Sequence, residues 1–96
     1  MDFQWDESKN LSNQKKHGLS FSEASELFER EQDYLEIYDS EHSTDEDRFI
    51  AIGEIQRGVV IVVFTERDED TIRIIGCRFA TKQEQQIYNS YKDRDS

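Results

Sequence analysis

Phe3 and Trp5 alternate with polar neighbours, the two-residue period of a strand with one buried face, and predict a short opening strand. Asp6 stands where a helix N-cap belongs. A helix is expected to run from there to about His17 and to stop at Gly18, a residue that turns left-handed past a helix end at little cost. Lys15, Lys16 and His17 suit the negative end of that helix dipole. Ser20 and Glu23 then form a capping box with Leu19 and Ala24 at the staple positions. Phe21, Ala24, Leu27 and Phe28 keep helical spacing, so a second helix follows at a sharp corner.

Residues 34–38 predict a brief strand and 39–47 a polar loop carrying His42. Residues 48–54 and 59–65 form a hairpin through a turn at Gln56, Arg57 and Gly58, and the returning strand is apolar on both faces, as in a central strand covered from each side. An acidic loop at 66–70 leads to a last strand at 71–79. Thr81 and Glu84 repeat the capping box, and Ile87, Tyr88 and Tyr91 form an apolar stripe on a third helix. The pattern is that of an α+β fold: a short N-terminal strand, two helices, an antiparallel sheet of about four strands and a C-terminal helix.

Ninety-six residues suit one domain, 1–96, and the concentrated apolar runs at 59–64 and 72–75 argue against disorder. The first residues carry an acid and no apolar signal segment, and no stretch approaches the roughly 20 apolar residues of a membrane span, so a cytoplasmic protein with no membrane contact is expected. Cys77 is the only cysteine, which leaves no internal disulfide, and its place in an apolar strand suggests a small buried hydrophobe. With two histidines, His17 and His42, no structural metal is expected.

Charge changes the picture further. The net charge is −10, and eleven of the 22 acids lie in 23–47 against one of the 12 bases, Arg30, leaving the remainder neutral. Most of these acids read as a solvated face. Such a flank slows association with a polyanion and favours a basic partner, while a separate cluster of arginines remains compatible with RNA contact.

Trp5, Asp6, Lys9, Asn13, Lys16, His17, Gly18, Ser20, Phe21 and Ala24 form a spaced motif near the start of the chain. Asp39, His42, Ser43, Glu46, Arg48, Ile52 and Gly53 form a second in the middle. Thr65, Arg67, Arg73, Ile74, Ile75, Arg78, Ala80, Glu84 and Tyr88 follow. Together they resemble the BrnT toxins of type II toxin–antitoxin systems. Gly76 and Cys77 depart from the Ser-Ala usual in that family, a change read here as packing. The resemblance implies a RelE-like fold and a metal-independent endoribonuclease that needs no cofactor, cleaves RNA and inhibits translation. It also implies a BrnA-like antitoxin with a ribbon-helix-helix DNA-binding part, operator DNA contacted only through that antitoxin, and a homodimer or a dimer of heterodimers.

The chemistry can be read from the residues as well. Metal-free RNA cleavage needs a base for the 2′-hydroxyl proton, cations for the crowded phosphate and an acid for the leaving 5′-oxygen. Arg48, Arg67 and Arg78 are the cation candidates, because a guanidinium stays charged and can bond two phosphate oxygens. By alternation Arg78 shares a face with Ile72 and Ile74, and Arg67, at a strand end, has the parity of Val59, Ile61 and Val63. Each arginine could equally be a surface residue bridged to Glu46, Glu66, Asp68 or Glu69. His17 is the first proton-transfer candidate, or else a helix-terminal residue bonding the last carbonyls. Glu46 is an alternative base, on the face of Arg48 if the strand extends that far. Lys9, Lys16, His42 and Tyr88 are RNA-binding candidates. His42 could instead be a capping or interface residue, Tyr88 could be core, and Trp5 reads as core rather than as a stacking platform. A second function fits the acidity: a catalytically degenerate, toxin-like module that binds an antitoxin and tunes operon repression. The clustered acids alone would also allow a decoy of nucleic acid.

Overall fold

The computed structural model describes residues 1–30 and 33–94, so Glu31 of the acidic segment lies outside the described residues. Its elements are β1 (Asp2–Gln4), α1 (Glu7–His17), α2 (Phe21–Glu29), β2 (Leu35–Tyr38), β3 (Phe49–Ile55), β4 (Gly58–Asp68), β5 (Thr71–Phe79) and α3 (Lys82–Arg94). The helix limits follow from local chemistry. Asp6 Oδ1 accepts the N–H groups of Ser8 and Lys9, two donors that the first helical turn leaves without partners. At the other end Gly18 takes φ 68°, and its N–H reaches the Gln14 carbonyl. Ser20 Oγ accepts the Glu23 N–H at 3.0 Å and starts α2. The buried Asn10 accepts the Phe21 N–H at 2.9 Å, which fixes the corner between the two helices.

The sheet runs β1-β5-β4-β3-β2. It has five strands rather than about four, and it is mixed: β1 lies parallel to β5, with Phe3 opposite Ile72, while the other pairs are antiparallel. Alternation reveals a strand but not its neighbour, and a parallel partner needs a connection far longer than a hairpin.

Two cores flank the sheet. On the first face Leu19, Phe21, Ala24 and Leu27 of the helical corner pack on Ala51, Val60, Val62, Phe64, Ile72 and Ile74. Trp5 joins this core as expected, its ring edge-on to Phe21 at 6.2 Å. The hairpin tip is bolted to the same corner. Arg57 Nη1 donates to both Glu23 oxygens and to the Gly18 carbonyl, and the guanidinium lies 5.2 Å from the Phe79 ring centre. That ion pair, helped by the Ser20 N–H, holds the Glu23 carboxyl below its usual range.

The second face is covered in part. Ile52, Ile61 and the fully buried Tyr88 form a smaller core with Leu35, Ile50, Val59 and Tyr91, so α3 shields one end of the sheet. Two bulges decide what reaches the rest. Val63 opposes Gly76 but Phe64 opposes Ile74, so Ile75 is an extra residue in β5; Glu66 opposes Ile72 and Asp68 opposes Thr71, so Arg67 is an extra residue in β4. The bulge at Ile75 reverses the alternation. Ile72, Ile74 and Cys77 all face the first core, and Arg78, opposite Ile61, faces the second. The expectation that Arg78 shares a face with Ile72 and Ile74 is therefore corrected: one inserted residue moves every later side chain to the other face.

Candidate functional site

The uncovered end of the second face holds a groove of 420 Å³ whose walls include His17, Asn13, Arg78 and Glu84 and whose floor includes Ile61 and Val63. A second hollow of 290 Å³ is lined by Asp39, His42, Arg48, Val63, Ile75 and Gly76. The two share Val63 and Gly76, so they form one depression with His17 and Arg78 toward one end and His42 and Arg48 toward the other. Gly76 keeps this floor open, because a Cβ there would meet nothing within 4 Å. Its departure from the resembled motif thus concerns the groove, and Cys77 beside it belongs to the core while also lining the groove.

His17 reaches the groove because Asn13, one helical turn earlier, clamps α1 to β5. The Asn13 amide donates to the Leu19 carbonyl at 2.9 Å and to Cys77 Sγ at 3.2 Å, and its oxygen accepts the Cys77 N–H at 3.2 Å. Burial pushes the Cys77 thiol up to about 12, against the pull of the Asn13 amide. Lys9 and Lys16 are exposed on α1, and helical spacing puts them on the side that carries Asn13 and His17. His17 makes no side-chain hydrogen bond among the described residues, so it does not bond the last carbonyls of α1.

The three arginines have different circumstances. Arg78 is gripped by Glu84, Nη1 to Oε1 at 2.7 Å and Nη2 to Oε2 at 2.8 Å, and Nη1 also donates to the Phe79 carbonyl. Those bonds use three of the five N–H donors of a guanidinium and leave two. The pair, with the N–H of Thr81, brings the Glu84 carboxyl down to about 2 and raises Arg78. Arg67 lies 3.2 Å from Glu46, one of the surface bridges considered from sequence, and neither residue lines the two hollows. Arg48 has no ion pair and no side-chain hydrogen bond among the described residues. Glu46 and Arg48 do not share a strand face, because β3 begins at Phe49 and both belong to the preceding loop. That loop is tied down by Thr65 Oγ1, which donates to the Asp47 carbonyl at 2.6 Å.

His42 Nδ1 lies 2.9 and 3.1 Å from the two Asp39 oxygens. Tyr88 is corrected as an RNA-stacking residue. It is 0% exposed, its hydroxyl donates to the Asp33 carbonyl at 3.4 Å, and Lys92 Nζ lies 5.5 Å from its ring centre, so neither ring face is open to a base. Sequence reasoning missed Asp39 and Glu84 as partners of candidate residues, and Asn13 as the clamp between α1 and β5. The signals were the i, i+4 spacing of Asn13 and His17, the i, i+3 spacing of Asp39 and His42, and a capping-box carboxylate with one oxygen to spare.

Among the described residues no three His, Cys, Asp or Glu side chains converge as metal ligands, and no helix is long and apolar enough to cross a membrane. A sequence model of the family described as "Ribonuclease toxin, BrnT, of type II toxin-antitoxin system" matches residues 5–84. The chain is similar to the crystal structure of the Brucella abortus ribonuclease toxin BrnT, with 31% identity and a TM-score of 0.66, over 85% of this chain and 99% of that one. No curated protein matches it.

Proposed function

The chain belongs to the family of BrnT ribonuclease toxins of type II toxin–antitoxin systems, and on that premise we propose that the second-face groove is an endoribonuclease site that works without a metal. The observation that carries this is the meeting of both histidines and two arginines around one floor, with Arg48 and two N–H donors of Arg78 uncommitted among the described residues. Those donors bind the phosphate. One imidazole takes the 2′-hydroxyl proton and the other returns a proton to the 5′-oxygen. The 2′-oxygen bonds to phosphorus as the bond from phosphorus to the 5′-oxygen breaks, leaving a cyclic phosphate and a 5′-hydroxyl. Lys9 and Lys16 extend the cationic rim along α1, and Arg67 with Glu46 serves the substrate from outside the groove. Cleavage of cellular RNA inhibits translation. A BrnA-like antitoxin with a ribbon-helix-helix part restrains the enzyme, and its basic segments find a counterpart in the acidic stretch 23–47.

The test is incubation of labelled RNA with the purified protein in chelator, beside folded Arg48→Ala and His17→Ala variants. Cleavage by the wild type that drops in both variants supports the site. Equal cleavage by all three would remove it. An inert but folded wild type would favour the second reading, a module that holds an antitoxin without catalysis. That reading draws on the carboxylates already occupying Arg67 and Arg78.

A further inference from the structure

We propose that Asp39 is a positioning residue that fixes the His42 ring so that Nε2 is the nitrogen that takes the 2′-hydroxyl proton; this rests on the groove being the RNA-cleaving site.

The geometry points one way because the two partners are held unequally. The Asp39 side chain is 15% exposed and that of His42 62%. The Asp39 N–H donates to the Arg48 carbonyl at 2.9 Å. Ser43 Oγ donates to the Asp39 carbonyl at 2.6 Å and accepts the Arg48 N–H at 2.9 Å. Asp39 therefore stands at the neck of its loop, backbone to backbone with Arg48, and the far side of the loop is fastened by Tyr38 and Thr65 to Asp47. A fixed carboxylate sets the more exposed imidazole.

An ionised carboxylate only accepts hydrogen bonds, so Nδ1 must carry the proton that meets the Asp39 oxygens at 2.9 and 3.1 Å. The neutral ring then has its lone pair on Nε2. His42, Asp39 and Arg48 line the same hollow, whose strand residues Val63, Ile75 and Gly76 are uncharged. Asp39 and Arg48 are the charged residues that line the hollow beside His42, and Glu41, Asp45, Glu46 and Asp47 lie in its own loop. In the proposed step the 2′-hydroxyl proton moves to Nε2, the 2′-oxygen bonds to phosphorus, the bond to the 5′-oxygen breaks, and His17 supplies that oxygen's proton. The Asp39 charge offsets the imidazolium that forms, and Arg48 stays with the phosphate.

Nitrogen-15 NMR of the histidine rings reads the tautomer directly, in folded wild type, Asp39→Asn and Asp39→Ala. The expected result is a protonated Nδ1 on neutral His42 in wild type and Asp39→Asn, whose amide oxygen still accepts, and loss of that bias in Asp39→Ala. In RNA cleavage, His42→Ala and Asp39→Ala should each lower kcat by about 100-fold with KM unchanged. Asp39→Asn should fall between, and the double variant should be no worse than His42→Ala. A protonated Nε2 in the wild type overturns the inference, as does a tautomer indifferent to Asp39→Ala. So does an Asp39→Ala loss that persists undiminished when His42 is already alanine. A wild type that shows the expected tautomer yet cleaves no RNA overturns the functional reading and the catalytic part of the inference together. An active wild type with fully active Asp39→Ala overturns the inference alone.

Discussion

Glu84 holds Arg78 with both carboxylate oxygens, at 2.7 and 2.8 Å, while its Oε1 also accepts the Thr81 N–H at 2.8 Å. One side chain therefore caps α3 and anchors a cation on the neighbouring strand, so the helix that closes one end of the groove is registered to the arginine at its wall.

This arrangement has a pH signature. Arg78 keeps the folded Glu84 at about 2, below its ordinary 4.5, so the pair stabilises the fold fully above the ordinary carboxylate range and loses that contribution as pH falls toward 2. Because the Arg78 side chain is 40% exposed, solvent screens the pair, and the expected contribution is about 1–2 kcal/mol rather than the full shift. Urea unfolding at a series of pH values should show the difference between wild type and Glu84→Gln shrinking between pH of about 4.5 and 2. A difference constant across that window would mean that the pair adds nothing through ionisation.

Arg48 and Arg67 should separate in activity. Arg48→Ala is expected to lower RNA cleavage by about 100-fold with a stability change of roughly 0.5 kcal/mol or less, since it makes no ion pair among the described residues. Arg67→Ala removes an exposed contact with Glu46, costs under about 1 kcal/mol, and lowers cleavage less. Single-turnover cleavage with both variants decides it, and a larger defect in Arg67→Ala would move the cationic centre out of the groove.

The Cys77 thiol should be inert in the folded protein. It is 5% exposed, and burial pushes it up to about 12, so almost no thiolate exists at pH 8. A disulfide reagent at that pH should label it only at the rate of unfolding, faster as urea is added. Rapid labelling without urea would show that α1 lifts from β5 in the native state.

Gly53 lets β3 pass close to Leu27 of α2 and to Tyr34. A Cβ there would lie 2.8 Å from the Tyr34 Cβ and 3.0 Å from Leu27 Cδ1. Gly53→Ala should destabilise the protein by about 1–3 kcal/mol, seen as a lower urea midpoint at unchanged slope. An unchanged midpoint would mean that Leu27 and Tyr34 move aside freely.

Much of the fold was legible because its signals are local. Asp6, Gly18, Ser20 and the pair Thr81–Glu84 act on backbone groups within one helical turn of themselves, so their effect does not depend on the rest of the molecule. Apolar runs located β3, β5 and β4 as far as Thr65 for the same reason, since alternation is a property of each strand, while Glu66, Arg67 and Asp68, expected in a loop, continue β4. The candidate site was legible in part: the arginines and histidines stood out by residue type, but not their partners.

Element order, both limits of α1, the starts of α2 and α3 and the family could be read from the residue pattern. The folded arrangement alone established that β1 pairs with β5, that Ile75 bulges and turns Arg78 toward the second core, and that Tyr88 is sealed from substrate. It also decided that Glu46 and Glu84 occupy Arg67 and Arg78 while Arg48 stays uncommitted among the described residues. The physical reason is range: caps and periods act over a few residues, whereas pairing, register and ion partners join segments whose proximity exists only after the chain has folded.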